Sequence, residues 1–136
     1  MGEMTTIAKF YDDLVNALKT VIDEKYIYPS NRPNVGKSDT TMDRFVVIDL
    51  PDVISDIAIG NRNYLLHTSG IISLFVKSKR DNTLNVNTTS DFIDSVMRLF
   101  PVSGTYIAAV NPHLLMRGSD GYGYQVTEIS FDLHTK

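Results

Sequence analysis

The sequence predicts an α+β fold in which two helices pack on one face of a mainly antiparallel sheet. Helical periodicity covers residues 7–22 and 90–100, and extended patterns cover 45–79, 105–116 and 122–134. The order of segments is therefore α-β-β-β-α-β-β. Each helix carries a single apolar stripe, which one face of a sheet can cover.

Composition narrows the class of protein. With 136 residues, of which 43% are apolar and 21% charged, the chain resembles a soluble globular protein and is expected to form one domain over residues 1–136. It has no apolar run near the ~20 residues that span a bilayer, and its N-terminus lacks a secretion signal. A net charge of −3 argues against binding along a nucleic-acid backbone. The absence of cysteine excludes disulfides, thiolate catalysis and cysteine-ligated zinc.

The first helix is predicted from apolar residues that recur every three or four positions and lie on one side of a helix. These residues are Ile7, Phe10, Tyr11, Leu14, Leu18, Val21 and Ile22. Asp12 and Asp13 are expected on the opposite, solvated side. Because adjacent helical residues point about 100° apart, these two carboxylates are not expected to share a proton.

Residues 29–43 contain two prolines, a glycine and short polar side chains, with almost nothing to bury. This composition predicts a long, mobile surface loop. Beyond it, strands are predicted over 45–50, 53–59 and 63–79, and Gly70 is expected to mark a bulge or bend in the longest of them.

The second helix is expected to begin after Thr88 or Thr89, either of which could cap it. The last two strands are expected to form a hairpin around residues 117–121, a run of turn-forming residues. Apolar residues switch from even to odd positions along the last strand. The switch predicts either a bulge near Thr127–Glu128 or a hairpin tip that leaves the sheet and buries its aromatic rings elsewhere.

Residue spacing gives no support for catalysis or metal binding. His67, His113 and His134 lack the i, i+4 helical spacing that a metal site favours, and the aspartates at 49, 52 and 56 match no calcium loop. Residues 118–123 superficially resemble a phosphate-binding loop, but a strand follows them where such a loop requires a helix. The expectation is a protein that is not an enzyme, with no cofactor and no metal.

The predicted core combines residues from both helices and the sheet. Its members are Phe10, Leu14, Leu18, Ile72, Leu74, Phe92, Val96 and Phe131.

The order of segments resembles that of a known family. The chain contains, in order, an amphipathic N-terminal helix, the strand-like residues 26–29, a loop, the strand at 45–48, a long strand, a second helix and a terminal hairpin ending at 129–133. This order and the chain length resemble the tail-terminator and tail-completion (head–tail joining) proteins of long-tailed bacteriophages and prophages.

The resemblance implies a structural virion protein that caps the tail tube as a subunit of a hexameric ring. Its partners would be further copies of the chain, the tail tube and head-connector proteins, without specific nucleic-acid or membrane binding. It would be assembled in the bacterial host cytoplasm and reside in the virion. Candidate interface residues are Arg32, Lys37 and Asp39 in the loop and Tyr122 and Tyr124 at the hairpin tip. The alternative is a small α+β ligand-binding domain or an enzyme of unknown substrate.

Overall fold

A computed structural model of the chain describes residues 6–29, 43–49, 55–59, 63–81, 83–105 and 107–135. Within them lie two α-helices, a 3-10 turn (Glu24–Tyr26) and seven strands. In chain order these are α1 (Thr6–Leu18), β1 (Ile27–Pro29), β2 (Arg44–Asp49), β3 (Ser55–Ile59), β4 (Asn63–Lys77), α2 (Val86–Met97), β5 (Val102–Ser103), β6 (Ile107–Ser119) and β7 (Tyr124–Thr135). The predicted mobile loop at 29–43 lies outside the described residues, apart from its two ends.

The strands form one sheet in the order β1-β2-β4-β7-β6-β5, and β3 also pairs with β4. The first pairing, β1 with β2, is parallel, whereas the other described pairings are antiparallel. Helix α1 contacts both β1 and β6, which lie near opposite ends of the strand order. The sheet therefore curls around this helix as a mixed half-barrel.

The prediction of a mainly antiparallel sheet with two helices on one face is wrong. The strand that makes the sheet mixed, β1, is short, with three residues. So short an apolar segment gives little periodic signal, and a parallel partner cannot be read from local sequence. The curl follows from the tertiary packing of α1, which the sequence pattern does not reveal.

The main core joins side chains of both helices to side chains of the sheet. All eight predicted core residues belong to it and are at most 2% exposed, so the predicted list is confirmed. Further members extend the core along β2, β6 and β7: Val46, Ile48, Ile107, Ala109, Ile129 and Leu133.

A second, smaller cluster covers the opposite face of the sheet. It consists of Phe45, Val47, Phe75 and Tyr124. The Phe45 and Phe75 rings are stacked, with centroids 4.4 Å apart, and the Tyr124 ring meets Phe45 edge-on at 5.0 Å. Strand β2 is thus buried on both faces, which explains its uninterrupted apolar sequence from 45 to 48.

The second cluster also explains why the predicted bulge near Thr127–Glu128 is wrong. The register between β4 and β7 is continuous from the pair Lys77–Tyr124 to the pair His67–His134. Tyr124 and Ile129 simply lie on opposite faces, and both faces are buried at those positions. The bulges in this hairpin lie in β6, between Val110 and His113 and between Met116 and Gly118.

Gly70 does not interrupt β4 either, since its pairing with β7 passes through without a shift. Its cross-strand partner is Phe131, whose ring atoms lie 2.8–2.9 Å from the position that a Cβ at residue 70 would occupy. Glycine is therefore required here for close approach of the aromatic ring, not for a bend.

The helix ends differ from those predicted. Helix α1 ends at Leu18, and Ile22 is buried beyond it. Helix α2 begins at Val86, four residues before the predicted start, and Asn85 caps it by accepting a hydrogen bond from the Thr88 backbone N–H at 3.5 Å. Thr89, a predicted cap, is buried inside the helix. No helix among the described residues is long and apolar enough to cross a membrane.

Asp13 is buried, contrary to the prediction that it faces solvent, whereas its neighbour Asp12 is exposed. Its Oδ2 accepts a hydrogen bond from the Ile107 backbone N–H at 3.0 Å. A Cβ on Gly104 would overlap the same carboxylate. Asp13 therefore ties α1 to the turn between β5 and β6, where a buried donor would otherwise lack an acceptor.

Replacing Asp13 with alanine is expected to lower the free energy of unfolding by about 1–3 kcal/mol, because the Ile107 N–H loses its buried acceptor. Urea denaturation measures the change. Asp12→Ala, one residue away on the exposed side, is the matched control and should stay within about 0.5 kcal/mol of the parent. Equal effects of the two substitutions would contradict the structural role of Asp13.

Candidate functional site

The distal half of β6 is an edge of the sheet. Strand β5 pairs with β6 at Ala108 and Ala109. From Asn111 to Ser119, the described pairings of β6 involve only β7, on its inner side. Among the described residues, the outward N–H and C=O groups of this segment have no strand beside them, so the segment can accept another strand.

Three consecutive apolar side chains lie on this edge and are exposed: Leu114 (45%), Leu115 (50%) and Met116 (51%). Leu114 and Met116 pair with Ile129 and Thr127, so they lie on the face of the sheet that carries the main core. Leu115 pairs with Glu128 and lies on the opposite face. The segment therefore presents apolar groups on both faces of an open edge, which is typical of a protein-binding surface.

Sequence reasoning missed this apolar edge, although a signal was available. Three apolar residues in a row cannot all face one core in a strand with period-two alternation. At least one of them must lie outside the core or in a second one. The predicted contact residues of this hairpin are instead the tyrosines at its tip.

Cross-strand contacts hold the edge in place. The Asn111 Nδ2 donates to Asp132 Oδ2 at 2.9 Å, and the Arg117 Nε donates to Glu128 Oε1 at 3.1 Å. Asn111 has a φ of 58°, in the left-handed region that asparagine tolerates. Asn111 and Arg117 lie at the two bulges of β6, and a bulge changes the local direction of a strand.

The turn that joins β6 to β7 is also well defined. The Asp120 carboxylate accepts hydrogen bonds from the backbone N–H groups of Tyr122 (2.7 Å) and Tyr124 (3.1 Å). Gly121 and Gly123 have φ values of 81° and 96°, which glycine adopts without strain. The predicted hairpin is confirmed, with its turn at residues 120–123 rather than 117–121, and a strand follows the turn where a phosphate-binding loop requires a helix.

The two tip tyrosines differ. Tyr122 is 66% exposed, as expected for a contact residue, and its binding role stays a prediction. Tyr124 is 4% exposed because its ring packs on Phe45. The Tyr124 side chain is therefore buried within the subunit, and its interface role stays a prediction. The other candidate interface residues, Arg32, Lys37 and Asp39, lie outside the described residues.

The histidines do not form a metal centre in the described part of the chain. His67 and His134 are register partners across β4 and β7, a proximity that the sequence did not indicate. A structural zinc site requires about four ligands, and no group of three or more suitable residues occurs among those described.

Two perturbed pKa values have local structural causes. Burial, with smaller contributions from Glu24 and Asp12, raises the pKa of the Tyr11 phenol. Hydrogen bonds from the Thr83 hydroxyl and backbone N–H lower the pKa of the exposed Asp81 carboxyl, which belongs to the turn after β4. A small open depression beside Asp13 and Ser103 is lined by groups that hold α1 against the β5–β6 turn.

Comparisons with known proteins give a similarity of fold. No protein-family model matches the sequence, and no curated protein matches it. One solved structure, whose name gives no function, has a TM-score of 0.55 and 12% identity and covers 100% of this chain and 96% of its own. A chain described as belonging to the virion of a native gene transfer agent particle has a TM-score of 0.54 and 11% identity, and the match covers 94% of this chain and 92% of that one.

Proposed function

We propose that this chain is a structural protein of a phage-like particle. The observation that carries the proposal is the fold match with the gene transfer agent virion chain, which covers nearly the full length of both chains. The exposed apolar edge of β6 supports the proposal, since a subunit of an assembly needs surfaces that become buried on association.

The finer proposal is a tail-terminator or head–tail joining subunit that forms a hexameric ring at the end of a tail tube. The order of segments led to this family, and a strand edge that can accept a neighbour suits a ring subunit. The partners would be further copies, the tail tube and head-connector proteins. A net charge of −3 suits a ring through which DNA passes without adhering. The role requires no catalysis, cofactor or membrane, and places the protein in the virion after assembly in the bacterial cytoplasm.

Deletion of the gene tests the proposal. In the bacterium that encodes the chain, particles made without it are expected to have over-long tails or tails that fail to join heads, because a ring that ends the tube is missing. Electron microscopy of purified particles measures tail length and the fraction of joined particles. A plasmid copy of the parent gene is the control and should restore both. Normal infectious particles from the deletion strain would contradict the proposal.

A further inference from the structure

We draw no further inference here: the strongest candidate, the exposed apolar edge of β6 formed by Leu114, Leu115 and Met116, carries none because nothing in the described part of the structure shows what covers it.

Discussion

Replacing Phe45 with alanine is expected to lower the free energy of unfolding by about 3–5 kcal/mol, because it removes a fully buried ring from the second cluster. The ring stacks on Phe75 and meets Tyr124 edge-on, so both neighbours lose an aromatic contact. Chemical denaturation measures the change. Phe45→Leu is the control that retains most of the apolar volume and loses the aromatic geometry, and it should have a clearly smaller effect. A loss below about 1 kcal/mol for Phe45→Ala would mean that this face of the sheet is not a core.

Leu14→Ala is expected to lower the free energy of unfolding by about 2–5 kcal/mol, through lost burial and the cavity that remains. Leu14 is 1% exposed and lies in the main core between α1 and the sheet. The exposed Asn16 lies on the same helix, and Asn16→Ala should change stability by no more than about 0.5 kcal/mol. Indistinguishable effects at the two positions would show that α1 is not docked as described.

The sequence predicts those parts of the fold whose pattern of apolar and polar residues repeats along the chain. The four-residue spacing of Phe10, Leu14 and Leu18 defines an apolar stripe on one side of a helix, and all three are buried. The long β4 and the terminal hairpin follow similarly from alternation and turn residues. These patterns depend on neighbours in the chain, which a single sequence displays.

The errors arose where distant parts of the chain meet. The helical pattern places Asp13 on the polar side of α1, whereas its acceptor role depends on Ile107, 94 residues away. Tyr124 is predicted to contact a neighbour because it lies at the aromatic hairpin tip. Phe45 and Phe75 instead cover the face of the sheet on which Tyr124 lies, and the local sequence does not show which strands will be neighbours.

The candidate site was only half predictable for the same reason. The hairpin tip and the exposure of Tyr122 follow from turn chemistry. The open edge of β6 depends on how far β5 extends beside it, and β5 has two residues. The apolar run from Leu114 to Met116 can be identified as an exposed surface only when the short length of β5 is known.

The burial of β2 on both faces has a consequence for the cooperativity of unfolding. Alternate residues of one strand supply the two clusters: Val46 and Ile48 join the main core, and Phe45 and Val47 join the second. A local opening that exposes one cluster must disturb the backbone that supports the other. The two cores therefore belong to a single cooperative unit centred on β2.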